Sequence, residues 1–149
     1  MNFCRVILFT FGLLLLPHVV VAEERSVVLV TNRHCPVTEL TGLEIRKAYL
    51  GVTISIGGEI IRPMRLTADE ELNKIFFQAI VAMSEKSYER RALSLALKFG
   101  TPRPAEYSSL VVALEAVERL PCAILFVWAR DAGNDEEIKT IKTLWQQGT

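Results

Sequence analysis

The stretch CAILFVWA, residues 122–129, is an apolar run with no polar residue at alternate positions. A strand that has one face in water alternates apolar and polar side chains, whereas a strand covered on both faces does not. Pro121 directly precedes the run and ends any helix that comes before it. The segment therefore predicts the central strand of a sheet that has helices on both faces.

Two further strands are indicated nearer the start of the chain. The β-branched run SVVLVTN predicts a buried strand over residues 26–31, and Pro36 in the following loop stops the ladder from continuing. A turn at Gly57 and Gly58 precedes another strand near 59–66. Because Pro63 cannot donate a backbone hydrogen bond, we expect this strand to lie at an edge or to end early.

Capping signals and apolar periodicity predict the helices. Thr41 and Glu44 have the spacing of a capping box, and Gly51 is placed to end that helix. Thr67 and Glu70 have the same spacing at the start of a strong apolar stripe. Three more helices are expected, with a loop over residues 100–109: one from about Ser84 to Gly100, one over 109–120, and an amphipathic helix over 133–147 with Asn134 and Glu137 at capping spacing.

The predicted order is β, α, β, α, α, α, β, α. Strands separated by helices favour parallel pairing with right-handed crossovers. The expected fold class is α/β, a three-layer sandwich with a mostly parallel sheet and helices on both faces.

The first 22 residues have the pattern of a secretory signal peptide. A short segment with Arg5 is followed by an apolar run over 6–16, and Val20 and Ala22 occupy the small-residue positions before a cleavage site. The apolar run is shorter than the roughly 20 residues that a spanning helix needs. We therefore expect export to the periplasm and one domain over residues 23–149.

Charge and cysteine content narrow the class of partner. The chain has 17 basic and 17 acidic residues, and removal of the signal takes only Arg5, so no basic excess favours nucleic acid. Cys35 and Cys122 remain after processing. In an oxidising compartment they either form a disulfide or stay as two separate thiols, one of them buried at the start of a strand.

No group of residues predicts catalysis, a metal or a cofactor. His34 and Cys35 are adjacent, but neighbours in an extended loop point to opposite sides and rarely act on each other. His18 leaves with the signal, so no second histidine remains for a metal cluster. We interpret His34 as a loop residue and expect a protein that is not an enzyme.

Several landmarks together resemble the periplasmic substrate-binding proteins of phosphate ABC transporters. VVLVTNRHCPVTELTGLEIRKAYLGV (27–52) is similar to that family's strand, asparagine-containing loop, helix and glycine, and GGEIIRPMRL (57–66) to its strand ending in arginine. The passage 76–129 resembles its helical region, basic Gly/Pro loop and following strand. The resemblance implies one lobe of a type II binding protein, because the chain has room for about one of the two lobes. It also implies a small anion or other solute as ligand and a membrane transporter or sensor protein as partner.

The resemblance implies which residues border a ligand. Arg65 matches the family's arginine, and the loop of Asn32 and Thr38 would border the cleft, since ligands bind at the carboxyl ends of parallel strands. Thr67 completes the candidate set. The alternatives are a solvated loop for Asn32 and Thr38, an N-cap role for Thr67, and a pairing of Arg65 with Asp69 or Glu70.

Three acidic residues stand where the family places small hydroxyl and glycine residues around phosphate. Ala68, Asp69, Glu70 and Glu71 replace Gly-Ser-Gly-Thr, which removes the close backbone approach and adds negative charge. This argues against phosphate binding of the family's kind. We expect a solute-binding or accessory module for transport or sensing. The alternative is an interaction or scaffold module without a small ligand. Homodimerisation is also expected, because a single lobe leaves surface to cover.

Overall fold

The computed structural model describes residues 25–133 and 135–148. The predicted signal peptide at 1–22 and the predicted cap residue Asn134 lie outside the described residues. Within those ranges, no helix is both long enough and apolar enough to cross a membrane.

A five-stranded sheet in the order β5-β4-β6-β1-β7 forms the centre of the molecule, and β2 and β3 pair as a separate hairpin. The strands are β1 (Ser26–Asn32), β2 (Ser55–Ile56), β3 (Glu59–Ile60), β4 (Arg62–Leu66), β5 (Ala105–Tyr107), β6 (Ala123–Trp128) and β7 (Ile138–Gln146). The helices are α1 (Gly42–Tyr49), α2 (Glu70–Ile75) continued by a π-helical segment (Phe76–Ile80), α3 (Glu85–Phe99), α4 (Leu110–Arg119) and α5 (Ala129–Ala132).

Strand β6 is the middle strand of the sheet, and all of its residues are buried. Since successive side chains point to opposite faces, both faces must be covered. On one face Phe126 stacks on Phe76 with ring centroids 5.1 Å apart, and the ring of Tyr49 meets it edge-on at 5.7 Å. Helix α4 packs against β6, β1 and β4. The predicted central strand and the α/β class are confirmed.

The sheet is mixed rather than mostly parallel. Strand β4 runs parallel to β5 and β6, whereas β1 is antiparallel to both β6 and β7. A disulfide joins Cys35 and Cys122, whose Cα atoms are 5.0 Å apart, and its position fits this antiparallel direction. Cys35 follows the end of β1 and Cys122 precedes the start of β6, so the bond holds the end of one strand beside the start of the other.

Two of the predicted helices begin and end as their caps indicated. Thr41 and Glu44 form the capping box of α1, with the Thr41 N–H donating to Glu44 Oε2 at 2.8 Å. Ser84 caps α3, which ends at Gly100 in the left-handed conformation. Gly51 also has positive φ, and a Cβ there would lie 3.0 Å from Leu95 Cδ1. Only glycine meets both demands at that position.

The predicted C-terminal helix is wrong, because this segment forms the edge strand β7. Its apolar residues Ile138, Ile141 and Leu144 recur every three positions, a spacing that also suits a helix. In the strand, β-bulges opposite β1 leave Ile141 and Leu144 without a directly paired residue. Each bulge inserts one extra residue, so a period of two becomes a period of three. Tertiary pairing with β1 therefore overrides a misleading pattern.

The region 100–109 was predicted as a loop, but it contains the short strand β5.

The strand predicted near 59–66 is divided between the β2–β3 hairpin and β4. Pro63 lies in an internal strand, but pairing with β5 begins only at Met64. At Pro63 itself β4 therefore has one neighbour, β6, and the missing N–H breaks no second ladder.

Replacing both Cys35 and Cys122 by serine should lower the free energy of unfolding by about 2–5 kcal/mol. The bond joins residues 87 apart in sequence, so it restricts the unfolded chain strongly. Urea denaturation of the variant and the wild-type protein measures the change. Dithiothreitol should lower the wild-type midpoint and leave that of the variant unchanged. Equal midpoints for the oxidised and reduced wild-type protein would contradict the prediction.

Candidate functional site

The four predicted ligand-binding residues lie at two opposite ends of the sheet. Asn32 and Thr38 are at and after the carboxyl end of β1, whereas Arg65 and Thr67 are at the carboxyl end of β4. Because β4 is parallel to β6 and β1 is antiparallel to it, these two carboxyl ends point in opposite directions. The expectation of a shared edge depended on parallel pairing of β1.

Asn32 organises the loop that carries the disulfide. Its Nδ2 donates to the carbonyl oxygen of Leu120 at 2.8 Å, and its Oδ1 accepts from the N–H of Cys35 at 2.8 Å. The residue is buried, whereas Thr38 is exposed. Asn32 thus holds the loop after β1 against the chain that precedes β6.

Arg65 is buried and bound to the protein's own groups. Nη1 pairs with Glu106 Oε1 at 2.9 Å, and Nη2 donates to Asn73 Oδ1 at 3.3 Å. The guanidinium carbon lies 4.3 Å from the ring centroid of Phe76 and 5.1 Å from that of Tyr88. The alternative pairing with Asp69 or Glu70 is therefore wrong, because the carboxylate that meets this guanidinium comes from β5.

Thr67 does not cap the helix, so the second predicted capping box is wrong. Its N–H and its hydroxyl both donate to the carbonyl oxygen of Tyr107, at 2.8 and 3.2 Å, which keeps Thr67 attached to the sheet. Its own carbonyl oxygen accepts from Asn73 Nδ2 at 2.9 Å. The helix begins later, and its N-cap is Asp69.

The carboxylate of Asp69 occupies the N-terminus of α2. Oδ1 accepts from the N–H of Leu72 at 2.9 Å, and Oδ2 accepts from Trp128 Nε1 at 2.7 Å. Partial burial alone would raise the pKa of this carboxyl. The hydrogen bonds from Leu72, Trp128 and Glu71, together with the charge of Arg130, outweigh burial and lower the pKa below its usual value. The helix terminus is thus filled by an anion that belongs to the chain.

The two following carboxylates also have partners within the protein. Both oxygens of Glu71 accept from the guanidinium of Arg25, at 3.0 and 2.7 Å, and that guanidinium lies 4.7 Å from the centroid of the Trp128 ring. Glu70 pairs with Lys74 one turn along the helix, at 3.3 Å. The acidic turn is therefore held in place by a tryptophan, an arginine and a lysine.

Trp128 and Arg25 are partners of this turn that were not predicted from the sequence. One signal for Trp128 was available, because it ends the predicted central strand, and the carboxyl ends of parallel neighbours lie at the same edge. Arg25 offered no such signal, since it is 46 positions from Glu71 in sequence.

Outside the acidic turn, the described residues contain few groups that could act in catalysis or bind a metal ion. His34 is exposed and lies 3.5 Å from a carboxylate oxygen of Glu137. Across residues 25–133 and 135–148, no group of three or more histidine, cysteine or acidic side chains is arranged to hold a metal ion.

Replacing Trp128 by phenylalanine should reduce stability more at neutral pH than at pH 3. Because the pKa of Asp69 is lowered in the folded protein, its ionised form stabilises the fold at pH values above the pKa of an unfolded aspartate, about 3.9. This stabilisation is lost as the pH falls through the folded pKa. Loss of the indole donor should remove about 1–2 kcal/mol of that pH-dependent part. Urea unfolding from pH 2.5 to 7 measures it.

Trp145→Phe is the matched control. The ring centroids of Trp145 and Trp128 are 6.2 Å apart, but the indole N–H that donates to Asp69 belongs to Trp128. It should keep the acid dependence of the wild-type protein. If Trp128→Phe lowers the free energy of unfolding by the same amount at every pH, this role of the hydrogen bond is ruled out.

Comparison with known proteins identifies the fold. No protein-family model matches the sequence, and no curated protein matches it. Two solved structures have the same fold. One is an ABC-type phosphate transport receptor from Vibrio cholerae, with 17% identity and a TM-score of 0.58, covering 80% of this chain and 46% of the receptor. The other is a putative phosphate ABC transporter substrate-binding protein with bound phosphate from Clostridium perfringens, with 18% identity and a TM-score of 0.55, covering 80% of this chain and 45% of that one.

The predicted resemblance is confirmed at the level of the fold. The chain spans less than half the length of either structure, and its mixed sheet and helices correspond to one lobe. The protein is therefore similar in fold to a single lobe of the phosphate ABC transporter substrate-binding proteins.

Proposed function

We propose that this protein is an exported, non-enzymatic binding or accessory module of a transport or sensing system, and that it does not hold phosphate at the N-terminus of α2. The observation that carries the proposal is the position of the Asp69 carboxylate, which accepts the helix N–H of Leu72 and the indole N–H of Trp128. A bound phosphate needs donors of this kind.

The energetics of the acidic turn oppose an incoming phosphate. Each carboxylate at about 4–6 Å would cost roughly 1–4 kcal/mol by like-charge repulsion at intermediate dielectric. The anion would also have to displace Asp69 from Trp128 and Glu71 from Arg25. Arg65 offers little in return, because Glu106 and Asn73 already accept from it.

The extent of the structural match supports a role that involves a partner. Proteins that close two lobes around a ligand supply contacts from both sides by hinge motion. This chain matches less than half of each of the two solved structures. A single lobe therefore gives one side of such a site. The remaining contacts would come from a membrane transporter or sensor protein, or from a second copy of the chain.

Two independent features support export to the periplasm. The first is the signal pattern of residues 1–22. The second is the bond between Cys35 and Cys122, since disulfides persist in oxidising compartments and are rare in the cytosol. We also propose cleavage before Glu23 and a single mature domain from there to the end of the chain.

A scaffold or interaction module without a small ligand is the second candidate function. One observation favours it: only Tyr88 among the residues of α3 is buried, while Leu97 and Phe99 near its end are 78% and 74% exposed. Exposed apolar side chains grouped on one element often mark a protein interface. A second copy of the chain is the partner that we infer for this surface.

Replacing Asp69, Glu70 and Glu71 by Ser, Gly and Thr should raise the affinity for phosphate. The change removes three negative charges and replaces the carboxylate at the N-terminus of α2 by a neutral hydroxyl, so an anion there no longer meets like charges. Isothermal titration with inorganic phosphate measures binding. The wild-type protein should not bind at 1 mM phosphate, and the triple variant should bind at least about tenfold more tightly, which corresponds to the removal of roughly one carboxylate repulsion.

The matched control replaces Glu115, Glu118 and Glu136 by glutamine, which changes the net charge equally but at a distance from α2. It should leave phosphate binding as in the wild-type protein. Micromolar phosphate binding by the wild-type protein would overturn the proposal. A triple variant that still ignores phosphate would assign the defect to the need for contacts from a second side of the site, as two-lobed proteins supply them, instead of the acidic turn.

For the scaffold function, the wild-type protein should be a dimer by light scattering, and Leu97→Glu should make it a monomer, because a charge cannot be buried unpaired in an apolar contact. Lys98→Glu, the adjacent exposed position, is the control and should retain the dimer. A monomeric wild-type protein, together with a thermal shift caused by a small solute, would reject this candidate. A ligand at 100 times its dissociation constant adds about 2.7 kcal/mol of stability.

A further inference from the structure

A groove runs beside the first half of β4, at the opposite end of that strand from Asp69. The C-terminal end of α1, the residues that follow it, the loop before β5 and Leu120 form its walls. Its volume is about 390 Å³. This lies within the range of roughly 300–1,000 Å³ that is typical of sites for small molecules. We call it the β4 groove.

The walls of the β4 groove are apolar and open to solvent. Val52, Ile60 and Leu120 are 44%, 48% and 40% exposed, and all three line the groove. Pro102 and Pro104 add further apolar surface from the loop before β5. Covering these side chains would remove apolar area from water, which is favourable. The groove therefore suits a ligand with an apolar part.

The charged residues that line the β4 groove are both arginines, Arg62 and Arg103, with no carboxylate among the lining residues. Arg103 pairs with Glu89 at 2.8 Å. Arg62 Nη1 donates to the carbonyl oxygens of Ile60 and Pro121, at 3.2 and 2.5 Å. Neutral carbonyls hold a guanidinium in place without cancelling its charge, and no carboxylate of the described residues forms an ion pair with Arg62. The groove thus offers an anchored, unneutralised cation.

The backbone of the groove disfavours an added strand as the occupant. Pairing with β5 starts at Met64, so Arg62 and Pro63 have only β6 beside them. The N–H of Arg62 already donates to the carbonyl oxygen of Cys122 at 3.1 Å, and Pro63 has no N–H. Strand addition depends on main-chain hydrogen bonds, and this stretch has no free donor for them. Recognition here must come from side chains.

We propose that the β4 groove binds a small amphipathic anion, an organic acid whose apolar tail lies against Val52, Ile60 and Leu120 and whose carboxylate pairs with Arg62. This inference goes beyond the function proposed above and does not depend on it, because the groove and the acidic turn are at opposite ends of β4. A solute bound there would leave the bonds of Asp69 intact.

Titration of the purified protein with decanoate tests the proposal, with binding followed by calorimetry below the micelle concentration. Decanoate should bind, whereas decyltrimethylammonium, with the same chain length and opposite charge, should not. Arg62→Gln should weaken decanoate binding at least about tenfold, as expected for a hydrogen bond to a charged group. Arg90→Gln, an exposed arginine of α3 outside the groove, is the matched control and should bind as the wild-type protein does.

A second variant, Ile60→Glu, places a like charge on the groove wall and should abolish decanoate binding. Far-UV circular dichroism and a thermal melt of each variant establish that it is folded. Decanoate that binds Arg62→Gln and the wild-type protein equally, or decyltrimethylammonium that binds as well as decanoate, would overturn the inference. Absence of any decanoate binding would do so too. Phosphate binding bears on the acidic turn alone, so the two proposals can fail separately.

Discussion

Burial of the apolar strand β6 on both faces is the constraint on which the other elements depend. Its side chains cannot be exposed without a large free-energy cost, so layers of helix must cover the sheet on either side. Phe126 shows how one face is satisfied, through rings contributed by α1 and the π-helical segment. The last residue of the same strand, Trp128, extends from this core to the acidic turn through its indole N–H.

Through this hydrogen bond, the packing of the core helps to fix the position of the Asp69 carboxylate at the candidate site. In a lobe that binds an external anion, the first N–H groups of the helix must stay available. Here Asp69 accepts one of them and is held in place by Trp128, while Arg65, a buried cation at the end of β4, pairs with Glu106. The cationic and N–H groups that would attract an anion are still present, but side chains of the same chain accept from the N–H of Leu72 and from both terminal nitrogens of Arg65. The buried Nε of Arg65 has no hydrogen-bond partner among the described residues.

Because β1 is antiparallel to β6 and β4 is parallel to it, the residues after β1 and the residues after β4 lie at opposite ends of the sheet. The two ends carry different functional groups. At one end, the carboxyl ends of β4 and β6 carry the acidic turn. At the other, the disulfide, Asn32 and the β4 groove lie near the start of those strands, with Arg62 as a cation that has no acidic partner among the described residues. The cation without an acidic partner among the described residues therefore lies at the opposite end of β4 from the acidic turn.

The sequence by itself determined the features that depend on neighbours in the chain. The apolar run of β6, the capping box of Thr41 and Glu44, the end of α3 at Gly100 and the acidic residues after Thr67 could all be predicted, because residues a few positions apart specify them. Tertiary structure alone decided that β1 is antiparallel, that Ile138–Gln146 forms a bulged strand, and that Asp69 and Arg65 bond to Trp128 and Glu106. These depend on pairings across 41 to 120 positions, such as Arg65 with Glu106 and Ser26 with Gln146. No local pattern encodes contacts of that range, because they form only when the sheet assembles.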